Sequence, residues 1–512
     1  MAASSDLFDL IKSLSKSEKR YFRISASATA GAGTNKYMHL FDLIDAREQY
    51  DEKAVRAAFA EQFTGRHFSE AKYYLYNAIL RSLHLYAADR SIDVQITTML
   101  HQAKILFARS LFRQCDKMIA KARDMAVEHE RWHLAVSAQR LEHELLTRQG
   151  AGAQETIEQL LLETARYADA WRSEVEHWTI YIRLLTRIRM VGAPRNREQL
   201  AAFRDQLTAD PGRAVLPPAS PSAEIYHLFS IAIYREAGGD FRGALASYRS
   251  MLPIIRSSPI WLRSRHVGLS PVLYNICLLA IKARDVDCFT EHYPLLIELT
   301  ETSPESPHYE SRILALALLP DLHANMGDFS AALAASAELE RAMSAAVEKP
   351  DILRETYLHL LLLSIHFGLG DYSRCIDYLT LVLAARPNDL SPEKYRLARA
   401  YQLILHFERG DDDLLGYLLR SAHRYFIANR GGYGSEEAII SFIRKTLRSR
   451  TGGTPPDLFR ELLEAIAPLR DDPFESVFLH GIDLIAWLES KVHHRSYAEI
   501  VREQFLAEAA SP

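Results

Sequence analysis

A short turn recurs at a near-constant interval through the second half of the chain. It reads Gly239-Asp240-Phe241, Gly327-Asp328-Phe329 and Gly370-Asp371-Tyr372, with weaker copies at Arg284-Asp285-Val286 and Gly410-Asp411-Asp412. The third positions of these turns are separated by 45, 43, 43 and 40 residues. A period in that range constrains the fold strongly. It specifies an array of helix pairs, each burying its apolar face on its neighbours. Arrays of this kind are usually surfaces for binding other proteins.

Nearly every other segment also carries apolar residues at helical spacing, and alternating strand-like runs are lacking, which predicts an all-α chain. The length of 512 residues is long for one compact core and ordinary for a solenoid or several domains. A net charge of -4 argues against a chain built throughout to bind polyanions. Cys115, Cys277, Cys288 and Cys375 have no paired spacing, as expected of reduced thiols in a cytoplasmic protein rather than a disulfide or zinc framework. The first residues hold no basic segment followed by a long apolar run, so no signal peptide is predicted. The most apolar stretch, 358–370, is interrupted by His359, His366 and glycines, which predicts no membrane span.

Five segments follow from this reading. Residues 1–90 form an N-terminal helical domain, with helices near 36–47, 52–63 and 69–88 and a Gly-rich flexible loop at 25–35. Ser15-Lys-Ser-Glu18 reads as a capping box. Residues 91–209 read as degenerate helical repeats, since Leu111-Phe112 resembles the later turns; two further turns are placed near Gly150–Gln154 and Gly192–Arg195. Residues 210–221 hold four prolines and read as a linker. Residues 222–430 carry the clear repeats, with Ser222, Ser270-Pro271 and Ser391-Pro392 as helix-start signals. Residues 431–512 read as a helical cap closing the array.

The flanks of the turns carry a family resemblance. The unit 357–388 contains Gly370-Asp371-Tyr372, the small Cys375, Tyr378-Leu379, Val382 and Arg386-Pro387-Asn388. Ala244, Ala332 and Cys375 each follow a turn by three positions, where close helix approach excludes a long side chain. Leu273-Tyr274-Asn275-Ile276 is similar to the start of a first helix. Together these resemble the tetratricopeptide repeat, well over 222–430 and poorly over 92–210. The period is longer than that family's, and Pro320 stands where the family places a small residue, so a kinked or interrupted helix is expected there. Gln402 and Leu415 also depart from the pattern.

The resemblance implies a right-handed superhelix whose first helices line a concave face. Counting from the turns places Phe229, Tyr274, Phe367 and Phe407 inward as apolar anchors, and Lys282, Asp321, Asn325 and Glu408 as orienting polar groups. The set lacks the repeated Lys and Asn pattern that grips a terminal carboxylate, so an amphipathic or apolar protein segment is the implied partner.

Chemistry-bearing motifs are otherwise sparse. HExxH, CxxC, a phosphate loop and a GxSxG elbow are all lacking. His359 and His366 could share a helix face without a completing ligand, and no cofactor or metal is predicted. The function implied is therefore a non-catalytic, cytoplasmic protein- or peptide-binding adaptor or scaffold. The alternative is a transcription regulator in which the basic helix carrying Lys12, Lys16, Lys19, Arg20 and Arg23 contacts DNA and the repeats act as a sensor. Against it, residues 1–90 hold 13 basic and 11 acidic side chains, a weak excess for such a domain. Self-association through the apolar faces is a third reading.

Overall fold

The computed structural model describes residues 5–28, 34–62, 68–88, 91–149, 154–207, 217–258, 261, 268–304, 306, 308–385, 392–428, 434–448, 456–470, 472, 474–475 and 481–510. Among these residues the chain is all-α, with twenty-four α-helices and no strand. None of those helices is long and apolar enough to cross a membrane. The chain divides into two compact units, 1–168 and 169–512.

In the first unit, α1 (Asp6–Ser13), α2 (Lys16–Ala28), α3 (Thr34–Asp45), α4 (Glu52–Gln62) and α5 (Phe68–Ala88) share one core around Ile11, Phe22, Phe41, Phe59, Leu75 and Ile79. The capping box forms as its sequence predicts. Ser15 N–H donates to Glu18 Oε2 at 2.8 Å, and Glu18 N–H donates to Ser15 Oγ at 3.3 Å. Helix α2 runs on to Ala28, so the expected loop at 25–35 starts later; residues 29–33 of it lie outside the described residues. A second core, around Ile96, Cys115, Ile119 and Ala138, joins α6 (Ile92–Ala108), α7 (Phe112–Glu128) and α8 (Trp132–Gln149).

Residues 154–191 are one helix, α9 (Gln154–Val191), of 38 residues. This corrects the expectation of degenerate helix pairs in that interval. The run contains neither glycine nor proline, so nothing breaks it. The expected turn near 192–195 does follow it, with Gly192 at φ 92°; residues 150–153 of the other lie outside the described residues.

The second unit continues with α10 (Arg197–Arg204) and then five successive hairpins: α11 (Pro221–Ala237) with α12 (Phe241–Ser257), α13 (Leu269–Lys282) with α14 (Val286–Leu299), α15 (Tyr309–Asn325) with α16 (Phe329–Ala345), α17 (Ile352–Gly368) with α18 (Tyr372–Ala384), and α19 (Pro392–Arg409) with α20 (Asp412–Ala428). Helices α21 (Gly434–Arg448), α22 (Pro456–Ile466), α23 (Leu484–His493) and α24 (Tyr497–Ala510) follow.

The recurrent turn has one hydrogen-bond design. At Gly239, Gly327, Gly370 and Gly410, φ lies between 71° and 79°, and Arg284 takes the same left-handed conformation at 59°. The next residue, always aspartate, donates its N–H five residues back, as in Asp240 to Arg235 O at 2.9 Å and Asp371 to His366 O at 2.9 Å. This is a Schellman end, and glycine suits it because the left-handed region penalises a Cβ. The same aspartate then caps the following helix: Asp240, Asp285, Asp328 and Asp371 each accept the N–H three residues on. One dipeptide thus ends one helix and starts the next.

The aromatic that follows clasps the neighbouring pair. Phe241 lies 5.3 Å from Lys282 Nζ at the end of α13. A Cβ on Gly368, at the end of α17, would lie 2.2 Å from Phe329. The small positions Ala244, Ala332 and Cys375 are fully buried, as the close approach of paired helices requires.

Other expectations need adjusting. Helix α15 is not interrupted at Pro320, and α12 and α14 also run through Pro253 and Pro294. Ser220, not Ser222, caps α11, with Pro221 in its first turn. Helix α13 starts after Gly268, before Ser270-Pro271; Ser391 lies outside the described residues. Residues 210–216 of the linker also lie outside them. The last helices do not simply extend the stack. Helix α24 returns to pack on α15 and on the turns at Arg284 and Gly327.

Candidate binding cavity

The first helices of successive pairs, α11, α13, α15, α17 and α19, line a cavity of about 1580 Å³ in the second unit. Residues 178–189 of α9 close one side, and Tyr497, Val501 and Phe505 of α24 close another. Five of the eight residues placed inward by the sequence line it: Phe229, Tyr274, Lys282, Asp321 and Asn325. Phe229 packs against Tyr181 and Tyr248, with ring centroids 5.2 and 5.6 Å apart.

The polar groups of the cavity form a linked set. Asn325 Nδ2 donates to Asp321 Oδ1 at 2.9 Å and Tyr357 OH donates to Asp321 Oδ2 at 3.1 Å. Arg284 Nη1 donates to Asn325 Oδ1 at 2.7 Å, and its Nε donates to Glu508 Oε2 at 2.9 Å. Lys282 Nζ donates to Glu236 Oε1 at 2.7 Å. Desolvation raises the Asp321 carboxyl above the usual carboxylate range, although Tyr357, Lys282, Arg284 and Asn325 oppose it. Burial likewise pushes the Tyr274 and Tyr357 phenols up. Such a surface presents aromatic and aliphatic area with a few fixed polar groups, the make-up of a recognition site.

The other three inward residues lie elsewhere. Phe367 is 3% exposed and packs edge-on to Tyr372 and Tyr497. Phe407 packs among Phe442, Phe459 and Trp487. Glu408 accepts from Trp487 Nε1 at 2.6 Å and from Lys491 Nζ at 2.8 Å. These three meet the C-terminal helices instead of lining the cavity. Conversely, Trp178, Tyr181 and Ile182 of α9 line it without having been expected to. Their spacing with Trp171 and Val175 is that of one helix face, a signal visible in the sequence.

Three of the five basic side chains of the N-terminal stretch bond to α3, although only Lys19 is half-buried. Lys19 pairs with Asp45 at 2.7 Å, and Arg23 pairs with Asp42 at 2.8 Å and with Asp45 at 3.4 Å. Lys12 Nζ donates to Asp45 O at 2.7 Å. Lys16 and Arg20 are exposed. His359 and His366 flank the Tyr378 ring, with centroids 6.2 and 5.7 Å away. No group of three or more metal-ligating side chains occurs among the described residues. Burial raises the thiols of Cys277, Cys288 and Cys375 to about 12, about 11 and about 12, which leaves them weak nucleophiles at neutral pH.

The class these features define is an all-α array of helix pairs with an internal cavity. No protein-family model matches the chain, and no curated protein matches it either.

Proposed function

We propose that this chain is a non-catalytic, tetratricopeptide-like scaffold that binds a protein or peptide segment in the cavity of its second unit. The observation that carries this reading is the lining of that cavity by the first helices of five successive pairs, where such arrays hold extended or helical ligands. The Schellman turns and the buried small residues at positions 244, 332 and 375 support the repeat class. Free buried thiols at all four cysteines suit a reducing, cytoplasmic setting. The ligand favoured is amphipathic, since aromatic walls alternate with the Asp321–Asn325–Arg284 chain.

Photo-crosslinking in the native host tests the reading. A benzophenone amino acid is placed at Leu278 or Leu314 in the cavity, or at exposed Leu333 as a control. One defined polypeptide joined to both cavity positions and not to Leu333 is the expected result. Identical adducts from all three positions, or none from the cavity, would sink it.

A further inference from the structure

Helix α24 is seated as a ligand would be. Tyr497 stacks on Phe329 at 5.5 Å, and Val501 and Phe505 are buried along the same face. Arg284 holds the far end twice over. Its guanidinium lies 5.0 Å from the Phe505 ring centroid, and its Nε binds Glu508. The seat is closely fitted: a Cβ on Gly327 would lie 2.5 Å from Ala498 O and 2.8 Å from Arg502 N. Residues 506–510 are exposed, and the helix is joined to α23 through His494 in the left-handed conformation, φ 55°. That junction is a Schellman end like those of the repeat turns, with Arg495 N–H donating to Ser490 O at 3.1 Å. The first turns of the helix are anchored by Tyr497, Ile500, Val501 and Phe505, whereas its last turn, 506–510, is exposed and held by the Arg284–Glu508 pair, so that turn is the least protected part of the helix.

We propose that residues 501–510 are an internal stand-in for a helical ligand, and that the partner is an amphipathic helix of the same pattern. That pattern is an aliphatic residue, an aromatic four positions on and an acidic residue three further on. The acidic position is selected by Arg284, and the aromatic one by the face of the guanidinium. When α24 yields its seat, the incoming helix lies along the α24 side of the cavity, and binding is weakened by the fraction of time that the seat is occupied. This inference rests on the scaffold reading. The two fail separately, because crosslinks from Leu278 and Leu314 form whether or not α24 moves.

The test uses full-length chains and a fluorescein-labelled peptide of residues 495–510, read by anisotropy. Phe505→Ala with Glu508→Ala weakens the internal helix and leaves the seat unchanged. That chain should bind the peptide about tenfold more tightly than the wild type does, and Arg284→Glu should prefer a peptide carrying Glu508→Arg by about tenfold. If the double variant loses helical content, Glu508→Ala alone carries the comparison. Absence of saturable binding, equal affinity across the chains, or an unchanged peptide preference would overturn the proposal. So would a wild-type dimer in light scattering that the double variant lacks, since the seat would then belong to α24 of a second copy.

Discussion

Arg396 of α19 and Glu436 of α21 form a doubly hydrogen-bonded ion pair with side chains only 1% and 2% exposed. The guanidinium also lies 5.1 Å from the Phe426 ring centroid. Two charges taken so far from water persist because each satisfies the other, and removing one strips the other of that buried counter-charge. Glu436→Ala should therefore lower stability by about 3–5 kcal/mol. Replacing both residues with apolar ones of similar volume should restore most of the loss. Urea denaturation followed by circular dichroism measures both; a single variant as stable as the wild type would contradict the argument.

Gly327 and Gly370 share a backbone conformation but differ in surroundings. Both have φ above 70°, so alanine costs about 1–2 kcal/mol at either site. A Cβ at Gly370 meets nothing within 4 Å, whereas at Gly327 it collides with the backbone of α24. Gly327→Ala should thus be the more destabilising of the two. It should also speed hydrogen exchange in residues 497–510, which Gly370→Ala should leave unchanged. Equal effects would show that α24 does not press on the Gly327 turn.

The Asp321 carboxyl titrates above its ordinary value because burial disfavours its charge. A carboxyl raised in the folded state holds its proton longer there than in the unfolded chain. Stability is therefore greatest below the unfolded value and falls as pH rises through the folded one. Asp321→Asn removes this loss and keeps an acceptor for Tyr357. Its stability relative to the wild type should rise between pH 4 and pH 7. A difference that is flat across that range would mean that Asp321 does not titrate in this way.

The turns were legible in the sequence because two physical demands fall on adjacent residues. The left-handed position calls for glycine, and the next position calls for a capping carboxylate. Ser110-Leu111 and Glu130-Arg131 make the same backbone bonds, from Leu111 to Leu106 O and from Arg131 to Ala126 O. They do so without glycine or aspartate, so the Gly-Asp signature does not mark them and only Leu111-Phe112 bears a likeness to the later turns. The inward residues followed by counting back from the turns, which placed Phe229, Tyr274, Lys282, Asp321 and Asn325 on the cavity. The same count put Phe367, Phe407 and Glu408 there as well. No local pattern announces that Trp487, Lys491 and Tyr497 come back to cover them.

That difference separates ligand contacts from core contacts by experiment. Phe367 is surrounded by Tyr372 and Tyr497, so Phe367→Ala leaves a hole and should cost about 3–5 kcal/mol. Ile182 lines the cavity yet is 37% exposed, so Ile182→Ser should change stability by no more than about 0.5 kcal/mol. If the cavity holds a ligand, Ile182→Ser weakens its capture in a fully folded chain, while Phe367→Ala acts only through stability and is corrected by lower temperature. Measuring the thermal transition and the crosslink yield from Leu314 in both variants decides the point. Crosslinking that follows stability in both chains would show that Ile182 takes no part in binding.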